Sequence, residues 1–327
     1  CMQIVTCDSS KNLEDSMFMA RRLIESGSQA YAISFSSTVV IYKGMLTTFQ
    51  LREYFQDLHN PLLTSALAIV HSRFSTNVLP RWELAQPFRF IAHNGEINTI
   101  RGNRNWMTAR ESVLNIEGSE IDIKKISPII TPNMSDSASF DETVELIVRG
   151  GRSLPHAILM MIPEAWEKHS SMDPQRRDFY RFHAGLMEPW DGPASVTFSD
   201  GKIAGAVLDR NGLRPARYWL TKDNRVIFAS EVGVLSVDPS MIASKGRLQP
   251  GKMFLVDLEE GRVVEDDEIK LELSQAQPYG EWLREQVSLD EIQTPTTLYP
   301  SHASIIRQQK SFGYSEEDIN LIIRYMA

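Results

Sequence analysis

The chain has 327 residues, 42% of them hydrophobic and 23% charged, with a formal net charge of −8, the balance of one large globular domain or two small ones. That charge excludes general affinity for nucleic acid or an anionic membrane, and no apolar run reaches the roughly 18 residues of a membrane span. Two cysteines, Cys1 and Cys7, make neither a disulfide scaffold nor a four-cysteine metal site, so a reducing, cytoplasmic setting is the default.

In chain order, residues 2–6 read as a short strand without the basic region and apolar core of a secretory signal. A helix follows to Ser26, with Leu13, Met17, Ala20, Leu23 and Ile24 on one apolar face, and Gly27 stops it. Ala30–Phe35 and Thr38–Tyr42 read as a hairpin around Ser36-Ser37. Leu51–Leu58 is a short helix. Two apolar runs, Ala66–Val70 and Phe88–Ala92, read as strands, and each ends abruptly in polar residues: His71-Ser72-Arg73-Phe74-Ser75-Thr76-Asn77 and His93-Asn94-Gly95-Glu96-Ile97-Asn98. A rigid strand that delivers a polar loop is where binding and catalytic groups concentrate.

Further helices are predicted over Asn103–Leu114, Ala138–Val148, Ser153–Met161 and Pro174–Leu186, with Ile121–Pro132 irregular. From Pro193 the pattern changes to three β-hairpins: Ala194–Phe198 with Lys202–Leu208, Ala216–Thr221 with Arg225–Ser230, and Lys252–Asp257 with Arg262–Glu265. Helices set between strand-rich regions imply a layered α+β domain of antiparallel sheets. Residues 266–300 read as a peripheral linker with one short helix near Tyr279–Val287. Residues 301–327 read as two amphipathic helices around Phe312-Gly313-Tyr314, ending inside a helical pattern.

Four groups can carry chemistry. The Asn94 side-chain amide and the Gly95 N–H are two donors able to converge on one oxygen, as an oxyanion hole requires. The same dipeptide equally forms a plain hairpin turn. Arg73 can grip a carboxylate with its fork or serve as a structural ion pair. Asp136, in Ser135-Asp136-Ser137, suits a helix cap. His71 and His93 have no Asp, Glu or Cys at metal spacing, so no metal is expected. The stretch Asp209-Arg210-Asn211-Gly212-Leu213-Arg214 brings arginines able to bind anions, without phosphate-loop spacing, and Gly246–Gly251 fits no nucleotide motif.

The motifs His71–Asn77, Arg81-Trp82, Ala85-Gln86-Pro87-Phe88-Arg89, His93–Thr99, Glu188–Ala194, Leu208–Tyr218, Ala229–Gly233 and Gly246–Asp257, in that order, resemble the class II glutamine amidotransferase domain of glutamate synthases over essentially the whole chain. The resemblance implies an N-terminal-nucleophile hydrolase fold, a four-layer αββα sandwich, over residues 1–265, with 301–327 as the start of a following domain. It implies hydrolysis of L-glutamine to glutamate and ammonia, with Asn94 and Gly95 as the oxyanion hole, Arg73 on the α-carboxylate and Asp136 on the α-ammonium. Partners would be the remaining glutamate synthase domains, where 2-oxoglutarate is reductively aminated. FMN and an iron–sulfur cluster belong to those domains, and no cofactor is expected in this chain.

The family nucleophile is an N-terminal cysteine whose own α-amine, of pKa about 7.7–8.0, acts as base. Cys1 stands in that place. Met2-Gln3 follows it, however, where the family has glycine, and no Gln-His-Arg-Gly motif comes next. Cys1 is therefore read two ways, as nucleophile and as the boundary of a chain lacking its amino-terminal portion. Two other functions share parts of the pattern: a non-catalytic glutamine-binding or scaffold module, and a phosphoribosyl-type amidotransferase.

Overall fold

The computed structural model describes residues 13–74, 79–116, 121–287, 292 and 300–326. The strand expected at residues 2–6, and Cys1 and Cys7, lie outside the described residues. The chain divides into two compact units, Cys1–Leu283 and Arg284–Ala327.

The first unit is organised by strict alternation along its strands. β1 (Ile91–Gly95), β2 (Ala194–Ser199), β3 (Ile203–Leu208), β7 (Met253–Asp257) and β8 (Arg262–Val264) form a five-stranded antiparallel sheet in the order β1-β2-β3-β7-β8. β4 (Arg217–Thr221), β5 (Val226–Ala229) and β6 (Ile242–Arg247) form a second sheet in the order β5-β4-β6. Side chains alternate between faces with period two. Val207, Met253 and Leu255 join the large core with the helices. Their neighbours Ala206, Leu208 and Phe254 face the second sheet, where they meet Ala216, Leu248, Tyr218 and Phe228. Helices, five-stranded sheet and three-stranded sheet are therefore stacked in that order. The three predicted hairpins are present as β2/β3, β4/β5 and β7/β8.

The helical layer begins with α1 (Leu13–Gly27), and α2 (Thr48–Tyr54) is a short helix continued by a 3₁₀ turn at Gln56–His59. It continues with α3 (Ile100–Glu111), the single turn α4 (Ile123–Ile126), α5 (Asp136–Arg149), α6 (Leu154–Met161) and α7 (Pro174–Ala184). α5 is the central piece, with residues 137–147 all buried. Ser135 caps it, its hydroxyl accepting from the Ala138 N–H at 3.1 Å. After β8, α8 (Asp266–Gln275) and α9 (Tyr279–Trp282) bury Ile269, Lys270 and Tyr279 in this unit.

Several expectations are corrected. Ala30–Phe35 and Thr38–Tyr42 lie outside regular strands; the turn between them is held by a side chain, with Glu14 Oε1 accepting from the Ser37 N–H at 2.7 Å. Ala66–Val70 is no strand either. A strand exists only through a partner's ladder bonds, and here local bonds compete: Ser65 Oγ donates to the Leu67 carbonyl at 2.6 Å. The strand expected at Phe88–Ala92 is displaced to Ile91–Gly95, because Phe88 folds back to donate its N–H to the Ile91 carbonyl at 2.8 Å. α3 starts three residues earlier than Asn103, since Gly102 is tolerated in a first turn and Thr99 bonds Asn103 Oδ1 at 2.7 Å.

The buried face of α1 is also not the apolar one. It carries Asp15, Phe18, Arg21 and Arg22, whereas Leu23 and Ile24 are exposed. Arg21 pairs with Glu25 at 2.8 Å and with Glu145 of α5. Arg22 pairs with Glu142 at 3.3 Å and donates to the Ile126 and Ile129 carbonyls. Paired, hydrogen-bonded charge can be buried, and hydropathy alone does not see it. β6, with its polar sequence IASKGR, was not expected at all.

The second unit carries α10 (His302–Ser311), capped by Ser301, and a helical stretch opening at α11 (Glu316–Asp318) with a Ser315/Asp318 capping box and ending at Met326. This matches the two predicted helices around Gly313, which takes a φ of +78°.

Candidate active site

Among the described strands β1 is at the edge, and its two sides are satisfied differently. The Glu96 N–H donates to the Pro193 carbonyl at 3.1 Å and the Ser199 N–H to the Phe90 carbonyl at 2.9 Å. Even-numbered main-chain groups of β1 therefore face β2, and those of Ile91, His93 and Gly95 point to the open edge. The Ile91 N–H donates to Asp141 Oδ1 at 3.1 Å. The His93 N–H donates to Gln86 Oε1 at 2.6 Å, and Gln86 Nε2 returns a bond to the His93 carbonyl at 3.0 Å. Farther on, the Ile97 N–H donates to Asp136 Oδ2 at 2.9 Å. Between them the Gly95 N–H meets no acceptor among the described residues.

Asn94 shares this place. Alternation turns its side chain away from the helices, toward the three-stranded sheet, opposite to His93. Its carboxamide donates to no described residue. Asn94-Gly95 is not a hairpin turn: the two residues pair with Ser195 and Ala194 in the ladder. Glycine is needed at 95 for close backbone approach, at a φ of +151°, where a Cβ would sit 1.9 Å from the Pro193 carbonyl oxygen. The chain beyond is tied to Pro189–Pro193: the Asn98 N–H donates to the Asp191 carbonyl at 2.8 Å and Asn103 Nδ2 to the Pro189 carbonyl at 3.2 Å.

α5 lies along the open edge as a splint. Asp141 accepts from three successive N–H groups, Arg89 at 3.1 Å, Phe90 at 2.9 Å and Ile91 at 3.1 Å. Burial pushes its carboxyl up to about 6 against the pull of Arg89 and the N–H groups. His93 Nδ1 meets Ser137 Oγ at 2.8 Å, and its Nε2 is buried without a partner. Burial holds His93 down at about 4, more than Asp136 restores, so the ring is neutral at pH 7. Asp136 is not the helix cap, which is Ser135; as first residue of α5 it bonds Ile97, with Ser137 Oγ at 3.3 Å from its other oxygen.

Arg73 is exposed, and no described carboxylate pairs with it. Its own N–H donates to His71 Nδ1 at 3.3 Å. The His71 ring lies against the His93 main chain, and burial lowers its pKa. This brings the Arg73 segment to β1, while Ser75, Thr76 and Asn77 of the same motif lie outside the described residues. Cys1, the candidate nucleophile, is likewise outside them.

Sequence reasoning missed Gln86 and Asp141 as builders of the site. It flagged Arg214 only within a polar stretch. Asp209 shapes that stretch, accepting from Asn211, Gly212 and Ala194 N–H groups. Arg214 Nε reaches the Pro193 carbonyl at 3.4 Å, the oxygen that also receives Glu96. Its Nη groups bond to no described residue. Among the described residues no group of three or more His, Cys, Asp or Glu can hold a metal ion, and no helix is long and apolar enough to cross a membrane.

Residues 1–282 match the family described as glutamine amidotransferases class-II. The chain is 44% identical to the glutamate synthase [NADPH] large chain of Bacillus subtilis, over 95% of this chain and 21% of that protein. It is 46% identical to ferredoxin-dependent glutamate synthase 2, chloroplastic, of Arabidopsis thaliana, over 100% and 21%. It is 48% identical to glutamate synthase [NADH] of Saccharomyces cerevisiae, over 91% and 14%. The chain thus spans about a fifth or less of the length of these relatives. A glutamine aminotransferase class-II domain protein from Silicibacter pomeroyi is similar at 17% identity and a TM-score of 0.30, over 54% of this chain and 65% of that one. By the family match and by the motifs gathered at the end of β1, the chain belongs to the class-II glutamine amidotransferases.

Proposed function

We propose that this chain is the glutaminase domain of a glutamate synthase, hydrolysing L-glutamine to glutamate and ammonia. The observation that carries the reading is the adjacent pair of donors, Asn94 carboxamide and Gly95 N–H, without a partner among the described residues, at the end of a strand whose Ile91 and His93 main-chain groups are tied on the same edge. Attack of a thiolate on the glutamine side-chain amide puts negative charge on its oxygen, which these donors receive. Fixed donors need no reorganisation as that charge develops. Ammonia leaves, and water then cleaves the thioester. Arg73 holds the substrate α-carboxylate. Asp136, with lone pairs remaining beyond its bond to Ile97, meets the α-ammonium. Cys1 is the proposed nucleophile, its α-amine the base.

The proposal includes a four-layer αββα sandwich to which residues 1–265 contribute part, with α8 and α9 packed on the same unit and 301–327 opening the next domain. It places the protein in the cytoplasm. Ammonia passes to other domains for reductive amination of 2-oxoglutarate, and FMN and the iron–sulfur cluster belong there. A cluster needs several cysteine thiolates, and this sequence has two cysteines.

Ammonia release by the protein carrying this chain tests the reading, with Cys1→Ala as control. Release abolished by that substitution is expected, and undiminished release removes Cys1 from the mechanism. Arg73→Ala is expected to weaken glutamine binding about 10- to 100-fold by calorimetry, and unchanged affinity refutes its role. Glutamine binding without ammonia release would instead mark a non-catalytic module, the reading that Met2-Gln3 favours.

A further inference from the structure

The Gly95 N–H is useful only if its direction is fixed, and among the described residues no strand neighbours β1 on that side to fix it. The sheet order leaves β1 at the edge, where a strand is normally free to twist or slip. Gln86 fills the missing place. Its carboxamide presents an acceptor and a donor side by side, as a neighbouring peptide group would, and uses both on one residue: Oε1 to the His93 N–H at 2.6 Å and Nε2 to the His93 carbonyl at 3.0 Å. Asp141 performs the same service one step earlier, at Ile91, but with a charge buried beside Arg89. Gln86 does so without charge, at the same His93 main chain that the His71 ring meets, and these are the last ties on this edge before the Gly95 N–H, which has no acceptor among the described residues. From His93 the main chain runs through Asn94 to Gly95, and the next tie is Asp136 on Ile97.

We propose that Gln86 is a positioning residue for amide hydrolysis: by standing in for a strand at His93, it sets the direction of the Gly95 N–H and of the Asn94 carboxamide. This rests on the glutaminase reading. The role requires both halves of the carboxamide. Gln86→Ala removes both bonds, and Gln86→Glu keeps the acceptor while replacing the donor by oxygen.

Turnover, glutamine affinity and backbone hydrogen exchange are measured on the protein carrying this chain. Gln86→Ala is expected to lower kcat for ammonia release about 10- to 100-fold, the scale of a small misplacement of a reacting group. KM and the calorimetric glutamine affinity stay within about threefold, because Arg73 and Asp136 are untouched. Exchange of the peptide covering residues 91–97 rises. Gln86→Glu is expected to fall between wild type and Gln86→Ala in kcat, and it decides the matter should Gln86→Ala not fold. A lowered melting temperature with unchanged kcat overturns the inference, and so does a kcat loss matched by an equal loss of glutamine affinity. If the wild-type protein releases no ammonia, the glutaminase reading fails by itself; exchange at residues 91–97 still judges Gln86, and unchanged exchange in the variant overturns its role.

Discussion

Two stretches of the first unit look alike in sequence and differ in structure. Ala66–Val70 and Phe88–Ala92 are both short apolar runs that deliver a histidine and then a polar cluster. The second becomes β1, paired to β2 on one side and splinted by Asp141, Gln86 and Asp136 on the other. The first stays outside any ladder, with Val70 80% exposed and Leu62, shortly before it, 86% exposed. Apolar side chains make a strand possible, but partners for the backbone N–H and C=O groups make it real. The candidate chemistry sits beside that bonding, so the pair of donors without a described partner is held by tied neighbours on both sides.

The largest effect in this comparison is expected from Gly95→Ala. Its Cβ would lie 1.9 Å from the Pro193 carbonyl oxygen at a φ that L-residues avoid, which separates β1 from β2. We expect a loss of about 4 kcal/mol or failure to fold, measured by denaturant unfolding; a loss below about 1 kcal/mol contradicts the close approach.

Acid is the next lever, and it acts on the sutured region. His93 has a folded pKa of about 4 against 6.5 ordinarily. Between those values the unfolded chain binds a proton that the folded chain does not, so stability is present above pH 6.5 and lost as pH falls toward 4. For His93 this amounts to about 3 kcal/mol. The His156–His183 pair, joined Nε2 to Nε2 at 2.8 Å with folded pKa values of about 3 and 4, acts in the same direction. Asp141, raised to about 6, opposes them, since its folded form holds the proton more tightly. The melting temperature is expected to fall from pH 7 to pH 4, and His93→Gln to flatten that fall. A profile equally steep in the variant sinks the assignment.

The smallest effect belongs to the first stretch. Val70→Ser removes a side chain that is already in water and is expected to change stability by no more than about 0.5 kcal/mol. A change of 2 kcal/mol or more would show that this run is buried against something after all.

What the sequence made legible follows the same line. The hairpins near residues 200, 223 and 260 were readable because turn residues and alternation are local. So was α5, through its apolar periodicity, although its cap was read one residue late, at Asp136 instead of Ser135. The polar face that α1 buries was not, because Arg21 and Arg22 reach Glu145 and Glu142, more than a hundred positions away. β6 carries no alternating pattern to read. At the site, Asn94, Gly95, Arg73 and Asp136 came from motifs, whereas Gln86 and Asp141 act through main-chain bonds that leave no spacing signature.

The central claim is that the Asn94 carboxamide and the Gly95 N–H receive the charge that develops on the glutamine amide oxygen. Steady-state ammonia release by Asn94→Ala tests it most directly. The account predicts a kcat lowered about 100- to 1,000-fold, the cost of losing one oxyanion donor, with KM for glutamine changed little. A kcat within about threefold of wild type would contradict it.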